Sequence, residues 1–471
     1  MPDFLKYVLY ELQNSLALVI LAGMAALIVL AIAYLVHKRR YRGERKFPWA
    51  KIFLWLVFLS YFVIVIYATM LRWSGFFHRE WNLHLFRAWR EAWNNFSAKN
   101  WANVLLNVAM FVPLGFLLPL LGKPLRKWYV TIPAGFGVSL AIELFQLAMG
   151  RGICDVDDLF CNTLGAAIGF FIVMTILSLL REKGKRTKPV LVYGSLALIS
   201  VLAVGCVFVA YQAKEYGNLP NAAAYTNNTR GTQWHLDCTL PEVGAEIPVY
   251  RTQTRSTAEC DAFAEDFRKI VGTQYTTISY YQEAAYYMDQ FGDENGTHFL
   301  FVSYLDPSYE YSFGRGDDPV WCDADRETVE AALSHLPAWI PEYAEFAAEG
   351  EGWHTFTVSQ HIDGAIMVDG VLRCRYAEDG TIRKLENKLL SYTYHDTVDI
   401  LSPKEAFEQM CAGKFGDGGY FENKKPAQVR VLSCKPGYAI DTKGFYQPVY
   451  YFDVASPDGS YAYRIMIPAM K

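Results

Sequence analysis

Six apolar stretches dominate the first half of the chain, at roughly 16–36, 52–71, 103–121, 129–149, 159–180 and 190–210. Each approaches the about 20 residues an α-helix needs to cross a bilayer's hydrocarbon core. After residue 210 the pattern changes. HFLFVSYL and TFTVSQHIDG alternate with a strand's period of two, whereas AECDAFAEDFRKIV and RETVEAALSHL repeat at helical spacing. Ser402 with Glu405 three residues on predicts a capped helix start, and Asp458-Gly459 between two strand runs predicts a hairpin turn. The fold class that follows is an all-α polytopic membrane domain of about six transmembrane helices, then an α+β extracytoplasmic domain.

The connections set the expected orientation. Lys38, Arg39, Arg40, Arg42, Arg45, Lys46 and Lys51 crowd the first connection, Lys123, Arg126 and Lys127 another, and Arg181, Lys183, Lys185, Arg186 and Lys188 a third. Basic loops stay cytoplasmic, so the N-terminus, the connections 72–102 and 150–158, and everything after 210 are expected outside. The first apolar run has no small-residue cleavage site and is read as a retained helix. The expected divisions are 1–51 (first helix and basic loop), 52–180 (membrane domain), 181–212 (basic loop and last helix), 213–233 (linker) and 234–471 (outer domain, with two lobes expected near 234–345 and 346–471).

Composition agrees with two unlike halves. The 471 residues are 52% hydrophobic and 15% aromatic, too apolar for a wholly soluble chain and too polar for a wholly membrane one. A net charge of -4 without a basic, aromatic-interleaved patch excludes a nucleic-acid partner. Six of nine cysteines (Cys238, Cys260, Cys322, Cys374, Cys411, Cys434) fall in the outer region, where disulfides are permitted but no spacing dictates a pairing.

Polar residues gather where the fourth apolar segment ends and the fifth begins. Desolvating them costs several kcal/mol unless they are paired, so a functional site is the default reading. Glu143 and Gln146 share one face of a helix, near its outer end. Asp155, Asp158 and Asn162 fall at helical steps that continue into Gly165 and Gly169, so one stripe runs from acidic at the surface to glycine at depth. The glycines let another helix approach closely. In the third segment, Asn103 and Asn107 share a face, and Pro113 with Gly115 predicts a kink. Arg151 and Arg72 are the nearest cations in sequence. Asp155 alone reads as a helix cap, with Asp158 completing a capping box. Asp155, Asp157 and Asp158 could offer oxygens to Mg²⁺ or Ca²⁺, but helix geometry turns Asp157 away from the other two, so no metal and no cofactor is expected. The segment 72–102, with five tryptophans and five Lys/Arg, suits an interfacial helix or re-entrant lid.

The order of these motifs, NVAMFVPLG, then ExxQ, then RxxxDVDDxxxNTLGAxxG, closely resembles the VanZ-like membrane family over about residues 52–180. The resemblance points to Arg72, Asn107, Pro113, Gly115, Glu143, Gln146, Arg151, Asp155, Asp158, Asn162 and Gly165. It implies a polytopic membrane protein and an association with resistance to teicoplanin-type glycopeptides, but no reaction. The last 120 or so residues resemble the PepSY-like or YycI-like modules that hang from bacterial membrane anchors.

Two functions follow as expectations. In one, the protein acts at the outer leaflet on a cell-wall lipid precursor or related ligand, with Arg72, Asn107, Glu143, Gln146, Arg151, Asp155, Asp158 and Asn162 as binding residues. An enzymatic version makes Glu143 or Asp158 the general acid or base. In the other, it is a non-enzymatic anchor whose outer domain binds or regulates another envelope protein. Membrane lipids are partners in both.

Overall fold

The computed structural model describes residues 20–21, 23–25, 27–40, 48–67, 69, 78–181, 187–220, 226–281, 283–289, 296–314, 319–416, 426–459 and 462–471. The chain divides into two compact units, one of residues 1–92 and 100–214, the other of residues 93–99 and 215–471.

In the first unit, five helices among the described residues are long and apolar enough to cross a membrane. They are α1 (Trp49–Ile66), α3 (Ala98–Leu121), α4 (Trp128–Met149), α5 (Val156–Arg181) and α6 (Thr187–Ala213), with a short α2 (Arg87–Asn95) before α3. The protein is thus a multi-pass membrane protein. Of the expected first span, 16–36, part lies outside the described residues; residues 27–40 are helical. α3 runs unbroken through Pro113 and Pro119 where an interruption was expected, and α4 through Pro133. Neighbouring helices make this tolerable in a membrane by re-satisfying freed backbone groups.

Val65, Phe111, Leu114, Ile142 and Ala166 form one buried cluster from α1, α3, α4 and α5. The glycine stripe meets α3. A Cβ on Gly165 would lie 2.0 Å from the carbonyl oxygen of Val108, one on Gly169 2.0 Å from that of Val112, and one on Gly115 of α3 1.9 Å from that of Ala166. The contact is reciprocal, each backbone resting on the other's glycines, as small residues permit where lipid and side chains are equally apolar.

The segment 72–102 differs from the expected single interfacial helix or lid. Its described part is a strand, β1 (His78–Asn82), followed by the nine-residue α2. β1 pairs in parallel with β2 (Arg151–Asp155), from His78 opposite Arg151 to Asn82 opposite Asp155. Backbone pairing satisfies groups that an isolated loop would leave bare.

The second unit is built on one sheet of fourteen strands among the described residues. Along the chain these are β3 (Gln233–Leu236), β4 (Glu246–Arg251), β5 (Tyr275–Tyr280), β6 (Ala284–Asp289), β7 (Thr297–Ser303), β8 (Tyr309–Gly314), β9 (Glu345–Gly350), β10 (Trp353–Asp363), β11 (Ile366–Tyr376), β12 (Ile382–Asn387), β13 (Leu390–Asp399), β14 (Gln428–Ile440), β15 (Phe445–Ala455) and β16 (Ala462–Pro468). The main order is β3-β14-β15-β4-β13-β11-β12-β8-β7-β6-β5; β16 adds to β15, and β10 then β9 to β11. The predicted hairpin joins β15 to β16, with Gly459 at φ 70°.

Three helices cover this sheet: α7 (Thr257–Val271), α8 (Arg326–Leu333) and α9 (Pro403–Cys411). α9 opens with the expected capping box, in which Ser402 accepts from the Glu405 N–H and the Glu405 carboxylate accepts from the Ser402 N–H. Two cores result. Phe267, Tyr287, Leu300, Leu333 and Phe356 belong to one, between residues 260 and 389; Met410, Phe415, Val431, Phe452 and Ile465 belong to the other. The first cluster draws on residues from both sides of 345, and Trp234 and Ile247 pack against the second.

The stretch 213–233, expected to be a linker, is partly bonded into the module. The buried Asp441 carboxylate accepts from the backbone N–H of Gly217 (2.6 Å), Lys443 (2.7 Å) and Phe445 (2.9 Å). Thr229 and Thr232 donate to the carbonyls of Cys411 and Pro426. No disulfide links any of the nine cysteines in this structure.

Candidate functional site

α4 ends at Gly150, which adopts the left-handed conformation (φ 65°) that closes a helix at little steric cost. The chain then forms β2 and turns straight into α5, so the end of α4 and the start of α5 lie together. Glu143, only 2% exposed, accepts the backbone N–H of Asp155 at 3.0 Å. That bond links the two helices across the turn.

Asp155 is a cap, but not through the expected box with Asp158. One carboxylate oxygen accepts from the Asp157 N–H at 2.8 Å and the other from the Asn82 amide at 2.9 Å. Burial pushes the Asp155 carboxyl above its usual range, with the Asp157 charge adding to the effect; the Asn82 and Asp157 donors and the nearby Arg87 guanidinium hold the rise back. Arg87 also pairs with Glu91 at 2.8 Å.

Asp157, fully buried, turns away from its neighbours as its position two residues on requires. Its oxygens accept from the backbone N–H of Phe86 (2.5 Å) and Ala88 (2.6 Å). These donors belong to the start of α2, whose first amides have no partner within the helix. A carboxylate there also meets the positive end of the helix dipole. Asp157 therefore fixes the segment after β1 onto α5.

Asp158 and Asn162 face the bundle. Asp158 accepts from the Asn107 amide of α3. Asn162, 3% exposed, donates to the Ser139 hydroxyl of α4 at 2.9 Å, while its Oδ1 is buried with no hydrogen-bond partner. Ser139 and Glu143 sit one turn apart on α4, as Asn162 and Asp158 do on α5, so the two pairs form successive layers. Gln146 donates to the Thr69 carbonyl at 2.8 Å and ties α4 to the end of α1.

Of the expected site residues, Asn107, Glu143, Asp155, Asp158 and Asn162 come together at one end of α3, α4 and α5. Gln146 points to α1 instead, and Asn103 is exposed. Arg72 lies outside the described residues, and only the backbone of Arg151 is described, in β2. Among the described residues, Arg87, which sequence spacing did not single out, is a cation whose charge reaches Asp155. Asn82, Ser139 and the capping role of Asp157 were likewise missed. Asn82 shows no periodic signal, and only the α2 start explains why Asp157 is buried.

Chemically, the cluster presents acceptor-rich carboxyls backed by amides in an apolar wall. Among the described residues, no three His, Cys, Asp or Glu side chains are placed to hold a metal ion.

No curated protein matches the chain. The family model described as VanZ/LLP1 matches residues 49–179, from the start of α1 nearly to the end of α5, and so spans every described residue of the cluster. The likeness to that family is confined to this helical stretch of the chain.

Proposed function

We propose that the VanZ-like region acts at the outer leaflet on a cell-wall lipid precursor or a related amphiphile, and that its action lowers susceptibility to teicoplanin-type glycopeptides. The observation that carries this reading is the convergence of Asn107, Glu143, Asp158 and Asn162 from three helices into one layered polar cluster, with Glu143 and Asn162 buried and Asn107 and Asp158 half-buried. Caps alone account for Asp155 and Asp157. They do not account for a buried carboxyl on α4 or for an Asn162 oxygen left without a donor, each of which costs stability that function would justify. The basic connections at 123–127 and 181–188 turn this end of the bundle outward by the positive-inside rule.

The test is expression of the full chain, Glu143→Gln and Asp158→Asn in a glycopeptide-susceptible bacterium. Both substitutions keep an acceptor for the bonds from Asp155 and Asn107 and remove only the ionisable group. The reading expects raised teicoplanin tolerance with the full chain and its loss in both variants at equal membrane abundance. Full tolerance in the variants would leave the carboxyls structural, and no change with the unaltered chain would sink the reading.

The separate cores of the second unit favour one alternative, an anchor whose outer module binds another envelope protein. A chain ending at Ala213 that retains the whole phenotype would exclude it.

A further inference from the structure

Cys238 and Cys434 play no part in the membrane cluster, yet the sheet of the second unit sets them side by side. β3 pairs in parallel with β14, from Gln233 opposite Gln428 to Leu236 opposite Val431. The pairing runs one residue further, because the Asp237 N–H donates to the Val431 carbonyl at 2.9 Å. Arg430 clamps the Asp237 carboxylate through two nitrogens. Cys238 follows in the bend that ends β3, close enough to Cys434 for the two thiols to interact.

On β14, Val429 and Val431 are buried and Leu432 is exposed, and the register against β15 shifts between Val431 and Ser433. Such a shift changes which residues face the core. Cys434 accordingly packs against the same core as Cys238, around Val429, Val431 and Phe452, and both are half-buried. Neighbouring strands lie about 4.8 Å apart, and a disulfide spans Cα separations of about 4.4–6.8 Å. Burial pushes the Cys434 thiol up to about 12, with Cys238 beside it adding to the rise.

We propose that Cys238 and Cys434 are joined by a disulfide in the mature protein, formed by exchange with a disulfide-bearing oxidant outside the cytoplasm. The oxidant's S–S bond breaks, one S–S bond forms between Cys238 and Cys434, and both thiol protons and two electrons leave with the oxidant as two thiols. The bond staples the chain soon after it enters the module to a central strand of the second lobe, and closes a long loop in the unfolded chain. Its formation in cells rests on the outward orientation proposed above; its geometry does not.

The full chain, purified in detergent without reductant, is blocked with N-ethylmaleimide, digested and analysed by mass spectrometry. The expected result is a linked Cys238–Cys434 peptide, with neither residue alkylated until reductant is added. In Cys238→Ser, Cys434 becomes alkylated. Reductant lowers the Tm of the unaltered chain by several degrees and leaves that of Cys238→Ser unchanged. Labelling of Cys322 on intact cells by a membrane-impermeant maleimide reports orientation separately. If Cys322 labels from outside while Cys238 and Cys434 are both alkylated, the proposal is overturned. If Cys322 does not label, the outward orientation fails instead. The pair is then tested on purified protein in a glutathione redox buffer, where failure to form the linked peptide overturns the geometry itself.

Discussion

Gly165→Ala is the sharpest test of how the membrane unit is held together. The added Cβ would sit 2.0 Å from the Val108 carbonyl oxygen, 2.9 Å from its carbon and 3.2 Å from the Phe111 Cβ. A comfortable C···O contact is about 3.3 Å, so α3 must retreat by about 1.3 Å along that line. The obstacle is helix backbone and cannot rotate aside. Overpacking of this kind costs about 1–3 kcal/mol. The retreat also pulls Asn107, adjacent to Val108, from Asp158, and leaving such a donor or acceptor without its partner costs about 1–3 kcal/mol. A combined loss of roughly 2–5 kcal/mol follows, since the two effects share one movement and do not simply add. The buried thiol of Cys161 on α5 provides the assay, because it reacts with a maleimide only when the bundle opens. At about 1.4 kcal/mol per tenfold, its labelling in detergent should speed up by roughly 30-fold to a few thousand-fold. Gly137→Ala, whose Cβ meets nothing within 4 Å, is the control and should leave the rate unchanged. Equal rates in the two variants would refute the close α3–α5 contact. Gly165→Ala with Gly169→Ala should cost less than the sum of the two, because one retreat of α3 relieves both clashes.

Asp157→Ala should expose the α2 start, leaving the N–H groups of Phe86 and Ala88 without an acceptor at about 1–3 kcal/mol each. Hydrogen exchange at those amides should accelerate at least about tenfold while α4 stays protected, and unchanged exchange would contradict the capping role. In the second unit, the Ser402 N–H and hydroxyl hold the Glu405 carboxyl below its usual 4.5. A group depressed on folding adds stability above its unfolded pKa and loses it as pH falls through the folded value. The Tm gap between the unaltered chain and Glu405→Gln should therefore be largest at neutral pH and close as pH drops below 4.5; a gap that widens in acid would contradict the box.

Local pattern was enough to say what each element would be. About 20 apolar residues between basic loops leave little choice but a helix, so α1 and α3 to α6 were placed to within a few residues. The Ser402–Glu405 box, the hairpin at Asp458-Gly459 and the stripe from Asp158 to Gly169 were legible for the same reason, since spacing along one element is fixed by local geometry. Tertiary structure alone decided what each face meets. It chose α3 as the partner of the glycine stripe, gave Asp157 to the amides of α2, brought Arg87 within reach of Asp155, and turned Gln146 to the end of α1. It also joined the strands on both sides of residue 345 into one sheet. A helix or strand carries its own period in its residues, whereas the partner of a polar side chain depends on how separate elements cross, which no local spacing records.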